Sequence, residues 1–244
     1  MLCYSVRFDG TGLHIERLKQ LMNVPVELVL NIDELREMSV FEIAEPILEE
    51  GIEVTAVKLD TPLSQSSEED VEKAIVLADE LNSDLIVLPV EGERLQIREG
   101  SPRLDSLFKS ASVYAKKVVF EPHPRALPGL ADLISEFLGG VFKLAVSPEP
   151  ELNTEELIEL AHEHLGQLVL VRLVCFTREG KVARISGTTS PNVFAIIKEL
   201  LERGYEGFFV LDYEPRGLML PSQLVREDLE LLLQYVRSMM GRVK

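Results

Sequence analysis

Along this chain, short runs of apolar and mostly β-branched residues alternate with longer stretches in which apolar residues recur every three or four positions. The first pattern suits a buried strand and the second an amphipathic helix, and their regular alternation predicts βα units around a parallel sheet. Runs closed by Asp, Pro, Glu or Gly place strands at Cys3 to Phe8, Val26 to Asn31, Val54 to Leu59, Leu85 to Val90, Val118 to Glu121, Phe142 to Val146, Leu168 to Cys175 and Phe208 to Asp212. Helical periodicity covers Asp33 to Glu50, where Leu35, Met38, Phe41, Ile43, Ile47 and Leu48 recur roughly every three or four residues and Gly51 supplies a stop. Ser66-Ser67-Glu68-Glu69-Asp70 opens a helix to about Leu81, and Asn153-Thr154-Glu155-Glu156 opens one through His164. Ser190-Pro191-Asn192 begins another, with Pro191 in its first turn, and a last helix runs from about Gln223 to Met240. Eight strands, each followed by a helical segment, fit an α/β fold of the (β/α)8 barrel type spanning residues 1–244 as one domain. An open doubly wound sheet, with about five to seven strands, fits less well.

Composition narrows the partners. Of the 244 residues 46% are hydrophobic, enough for one generous core, and 25 Lys+Arg against 41 Asp+Glu leave a net charge of −16. Such a field repels phosphate backbones and anionic membranes, and the basic residues are scattered without an aromatic stripe, so nucleic acid is disfavoured as a partner. No stretch approaches the ~18 apolar residues of a membrane span, and the N-terminus lacks a basic region followed by an apolar one. The two cysteines, Cys3 and Cys175, have no paired-cysteine spacing. Reduced thiols and a cytoplasmic location are expected. Leu229, Leu232, Tyr235 and Met239 on the last helix fit either core or an interface between copies, so an oligomer stays open.

In a barrel, function sits at the C-terminal strand ends. Ser5, Arg7 and Asp9 share one face of the first strand. Asn31 and Asp33 close the second, Lys58 and Asp60 the third, Pro89 and Glu91 the fourth, and Glu121 and His123 the fifth. Ser147 and Glu149 close the sixth, Arg172 and Cys175 the seventh, and Asp212 and Glu214 the eighth. In Glu121-Pro122-His123 a carboxylate and an imidazole two residues apart can share a divalent cation, with Asp212 and Glu214 as further hard oxygen donors. Mn²⁺ or Zn²⁺ would suit the mixed set and Mg²⁺ the carboxylates. The same carboxylates can instead pair with Arg7, Lys58 and Arg172. His14, His162 and His164 read as surface residues, and Gly187-Thr188-Thr189-Ser190 as a capped helix start that could also hold an anion. Glu91 to Pro102 is a polar stretch expected above the fourth strand.

Val118-Val119-Phe120-Glu121-Pro122-His123, and Arg203-Gly204-Tyr205-Glu206-Gly207 leading into Phe208-Phe209-Val210-Leu211-Asp212, resemble the xylose isomerase-like barrels. That superfamily includes sugar isomerases, epimerases and endonuclease IV-type nucleases. The resemblance implies a fifth-strand metal ligand at Glu121 and places Asp212 where the eighth-strand Glu stands. The chain departs from the pattern at Phe142 to Glu149, near Arg172, at Lys58-Leu59-Asp60 and at Leu88-Pro89-Val90, where the expected Asp and His ligands are missing.

One reading is therefore a sugar or sugar-phosphate isomerase or epimerase with a reduced metal site. Its ligands would be Glu121, His123 and Asp212, its proton-moving groups Lys58 and Glu214, and its substrate-holding residues Arg7, Asp9, Asn31 and Arg172. A second reading is a metal-free barrel that binds a metabolite or serves as a scaffold. A nuclease, the third, is opposed by the net charge.

Overall fold

The computed structural model describes residues 1–8, 24–91, 104–135, 140–186 and 190–241. Asp9, His14, residues 92–102 of the polar stretch and Gly187-Thr188-Thr189 lie outside the described residues. The strands are β1 (Leu2–Arg7), β2 (Val26–Leu30), β3 (Val54–Leu59), β4 (Leu85–Val90), β5 (Lys117–Pro122), β6 (Phe142–Val146), β7 (Leu168–Leu173), the short β8 (Cys175–Phe176) and β9 (Val182–Ala183), and β10 (Phe208–Leu211). Eight of them close a parallel barrel in the order β1-β10-β7-β6-β5-β4-β3-β2.

Around it run α1 (Ile32–Glu37), α2 (Val40–Glu49), α3 (Glu68–Glu80), α4 (Leu104–Val113), α5 (Leu127–Ser135), α6 (Thr154–Glu163), α7 (Val193–Glu202) and α8 (Ser222–Met240). No helix of the described residues is long and apolar enough to cross a membrane. Leu229, Leu232 and Met239 of α8 are buried in the core between barrel and helices.

The chain differs from its periodicity in three places. The run Asp33 to Glu50 is two helices, because Ser39 caps the second through a reciprocal box: its hydroxyl accepts from Glu42 N, and the Glu42 carboxylate accepts from Ser39 N. The apolar run Leu168 to Cys175 is divided, with Cys175–Phe176 leaving the barrel to pair antiparallel with Val182–Ala183. Pro191 precedes the cap of α7 instead of sitting in its first turn, and the Asn192 side chain accepts from Phe194 N and Ala195 N.

Side chains alternate faces with a period of two along a strand, and this sorts the barrel interior into layers. Cys3, Ala56, Leu85, Val87, Val119, Ala145, Leu170 and Val210 form a small apolar cluster separate from the main core. Two residues further toward the C-terminal end, on four of these strands or just past the ends of β6 and β10, stand Ser5, Lys58, Glu121, Ser147, Arg172 and Asp212. The barrel thus has an apolar lower interior, and a polar layer caps it beneath the mouth.

Candidate functional site

Arg172 is the centre of that polar layer and is fully buried. Its Nη2 donates to Glu27 Oε1 at 2.9 Å and to Glu121 Oε2 at 2.7 Å, and its Nε to Glu121 Oε1 at 3.1 Å. Its Nη1 donates to Glu27 Oε2, which also accepts from Ser5 Oγ at 2.7 Å. Asp212 Oδ2 lies 3.7 Å from Arg172 Nε. The register that pairs Ser5 with Glu27 on neighbouring strands brings the hydroxyl to its acceptor.

Lys58 Nζ closes on Glu121 Oε2 from the rim at 2.7 Å. Arg216, in the loop after β10, returns over the floor: its Nε lies 3.4 Å from Asp212 Oδ2, its Nη1 lies 3.6 Å from Glu149, and its Nη2 donates to Ser147 Oγ. Burial alone would raise the Glu121 carboxyl. The charges of Arg172 and Lys58, with the Arg172 hydrogen bonds, outweigh it and hold Glu121 well below the usual carboxylate range. Burial likewise acts to lower Arg172, but Glu121, Glu27 and Asp212 drive it well above its ordinary value. Among the described residues one acceptor in the layer is unserved: Asp212 is fully buried, and its Oδ1 has no hydrogen-bond partner there.

Above the floor opens a cleft of about 340 Å³, lined among others by Arg7, Lys58, Glu121, His123, Asp212 and Arg216. The structure therefore brings Arg7, Lys58, Glu121, His123 and Asp212 to one mouth. Arg7 is half-exposed and faces Asp60 at 3.9 Å. His123 also caps the short turn Pro124–Ala126, its Nδ1 accepting from Arg125 N at 3.3 Å. Arg172, expected to hold ligand, lies beneath the cleft with its guanidinium committed to carboxylates. Asn31 spends its side chain capping α1, accepting from Asp33 N at 2.8 Å, and Glu214 is buried outside the cleft lining. Asp9 lies outside the described residues. His162 sits on the outer surface beside Arg203.

Sequence reasoning missed Glu27 and Arg216. Glu27 is a lone acid in an otherwise apolar strand, at the position opposite Ser5. Arg216 lies four residues beyond Asp212, where strand periodicity no longer reports direction.

The donor chemistry does not fit a divalent ion. Both Glu121 oxygens accept from Arg172, Lys58 adds a second cation to Oε2, and Arg216 Nη2 stands 3.9 Å from Oε1. A metal bound there would face three fixed positive charges at contact range. Among the described residues no group of three or more His, Cys, Asp or Glu side chains is disposed to hold a metal ion.

No family model matches the sequence, and no curated protein matches it. Solved structures do. A xylose isomerase domain protein from Planctomyces limnophilus superposes with a TM-score of 0.69 at 14% identity over 98% of each chain. The 3-keto-D-glucoside 4-epimerase of E. coli gives 0.65 at 18% identity, over 96% of this chain and 98% of its own. The D-psicose 3-epimerase of Clostridium cellulolyticum H10, solved with D-tagatose, gives 0.65 at 13% identity over 98% of each chain. The fold is thus a (β/α)8 barrel of the xylose isomerase-like type, and its structural neighbours include sugar isomerases and epimerases.

Proposed function

We propose that this protein is a barrel of the sugar isomerase and epimerase class that binds a small sugar at the mouth and moves a proton on it without a metal. The observation that carries the reading is the unserved Asp212 Oδ1, buried at the floor of a cleft lined by Lys58 and Arg216. A buried acceptor without a donor costs about 1–3 kcal/mol, so its persistence fits a group that a ligand completes. The chemistry follows from charge. For a hydroxy-carbonyl sugar, Asp212 takes the proton from the carbon beside the carbonyl, and that C–H electron pair becomes the C=C bond of an enediolate. The negative charge that develops on oxygen meets the Lys58 ammonium, whose remaining N–H donors are free of Glu121, and the Arg216 guanidinium. Return of the proton to the same carbon after the enediolate turns its other face to Asp212 gives the epimer, and return to the neighbouring carbon, with the hydroxyl proton passing to the former carbonyl oxygen, gives the isomer. The structural neighbours that act on D-psicose and on 3-keto-D-glucoside support this substrate class.

The test is proton exchange in D₂O. Chelator-treated protein is incubated with D-psicose, D-tagatose or D-xylose, and deuterium incorporation and product are read by NMR. Chelator-resistant exchange is expected, falling about a hundredfold to ten-thousandfold in Asp212→Asn, which a thermal melt shows to be folded. Metal-dependent exchange would sink the reading. A second reading, binding without catalysis, draws on the pairing of each mouth cation with an acid, Arg7 with Asp60, Lys58 with Glu121 and Arg216 with Asp212. Calorimetric binding of the same sugars without any exchange would select it.

A further inference from the structure

His123 stands at the mouth with one ring nitrogen spent and the other not. Its Nδ1 accepts from Arg125 N at 3.3 Å, capping the short turn Pro124–Ala126. A ring nitrogen that accepts carries no proton, so in the neutral ring the proton is on Nε2. Among the described residues Nε2 has no hydrogen-bond partner, and His123 lines the cleft together with Asp212. The charged groups around it are committed. Arg7, Lys58 and Arg216 are cations, which donate and do not accept. Glu121 is held by Arg172 and Lys58, and Glu149 faces Arg216 at 3.6 Å. Asp60 accepts from Thr61 Oγ1, and Glu91 from Gln65 Nε2. Among the described lining residues His123 is the only imidazole, the side-chain type that both gives and takes a proton near neutral pH.

We propose, resting on the reading that the mouth moves a proton on a sugar, that His123 carries the hydroxyl proton from one sugar oxygen to the next, which fits the site to aldose–ketose interconversion. Asp212 takes the proton from the hydroxyl-bearing carbon, and the C–H electron pair becomes the C=C bond of the enediolate. Nε2–H gives its proton to the carbonyl oxygen, and the bare Nε2 takes the proton of the neighbouring hydroxyl. That second oxygen becomes the new carbonyl as Asp212 returns its proton to the carbon that held the first. Every proton and electron pair stays within the sugar, Asp212 and His123, and no co-reactant is needed. Epimerisation requires no transfer between oxygens, because its carbonyl ends where it began. The Arg125 amide fixes the ring in the tautomer that the transfer uses.

The experiment compares wild type with His123→Gln and His123→Asn in D₂O, with D-xylose and D-tagatose as probes and NMR reading C–H exchange and aldose–ketose conversion separately. Gln offers an amide N–H that donates near the place of Nε2 but cannot pass a proton on. Asn keeps an acceptor for Arg125 N, and with it the turn, so its melting temperature is expected to match wild type. In both variants conversion is expected to fall about a hundredfold beyond any fall in exchange. Exchange and conversion lost in equal measure in either folded variant, conversion unchanged in either, or a wild type that exchanges without converting overturns the proposal and leaves the proton-transfer reading standing. A wild type without exchange removes that reading and the proposal with it. The ring is also tested alone, by long-range ¹H–¹⁵N correlation NMR of the sugar-free protein at pH 7, with the His123 signals identified by their absence from His123→Gln. A proton on Nε2 and a bare Nδ1 are expected, and a proton on Nδ1 overturns the proposal whatever the sugars do.

Discussion

Gly204 and Gly207 show what a short motif means at the scale of single residues. Gly204 follows the end of α7 with φ of +84°, the left-handed conformation that a β-carbon penalises. Gly207 is constrained by space instead: a β-carbon there would come within 2.5 Å of the Val169 carbonyl oxygen and 2.5 Å of the Tyr205 hydroxyl. The backbone cannot yield, because Gly207 O accepts from the Met1 amino group at 2.7 Å and Tyr205 Oη donates to Phe208 O at 3.0 Å. Gly207→Ala is therefore expected to destabilise by about 2–3 kcal/mol and Gly204→Ala by about 1 kcal/mol in urea unfolding. The reverse order would mean that conformation, not contact, governs this turn. Arg203-Gly204-Tyr205-Glu206-Gly207 thus marks packing at the bottom of the barrel, while the chemistry stands at the other end of β10. Places at the ends of apolar runs were enough to name Lys58, Glu121, Arg172 and Asp212 as candidates from sequence. They could not say that Arg172 would be sealed beneath the others, since depth depends on how far each strand is staggered in the closed barrel.

At the scale of elements, strand ends were read to within a residue or two where a polar residue or proline closes an apolar run, as at Leu59, Val90 and Val146. The run Leu168 to Phe176 has no such stop, and alternation cannot separate a barrel strand from the hairpin that continues it. A buried polar cluster fixes that hairpin. Arg184, just past β9, donates from Nε to Asp228 Oδ2 at 3.0 Å and from Nη2 to Oδ1 at 2.8 Å. Tyr213 Oη donates to Asp228 Oδ2 at 2.8 Å and accepts from Ile185 N at 2.9 Å. The cluster ties the hairpin to α8 and to the loop after β10, next to Arg216. Asp228→Ala leaves the buried Tyr213 hydroxyl without its acceptor and the Arg184 guanidinium with only Leu224 O and Glu227, at an expected cost of about 2–4 kcal/mol. Hydrogen exchange at Phe176 and Thr177 should accelerate before that of β7. Uniform acceleration across the barrel would show that the hairpin is not a separately held unit.

For the whole molecule, two electrostatic effects act in opposite directions as pH falls, and their crossing is measurable. The net charge of −16 at pH 7 is self-repulsion, which weakens as the chain approaches its isoelectric point near 4.7. Stability should rise over that interval, and added salt at pH 7 should raise it too. Against this, Asp70 is held down to about 2 from its ordinary 3.8, first by the hydrogen bonds from Arg36, against burial, and then by the cap at Ser67. Glu121 is held well below its ordinary 4.5 because Arg172 and Lys58 outweigh burial. For a carboxyl depressed in the folded state, the stabilisation is present above the unfolded value and is lost as pH falls through the folded one. Both contributions are thus intact above about pH 5 and shrink steadily toward pH 2. Melting temperature should pass through a maximum near pH 5 and fall steeply below pH 4. Salt should flatten the upper limb and leave the acid limb largely in place, because the Glu121 pair lies out of reach of counterions. A melting temperature that keeps rising down to pH 3 would show that the buried carboxylates do not couple to folding. It would also remove the electrostatic basis for treating Arg172 and Lys58 as the cations that hold the barrel floor.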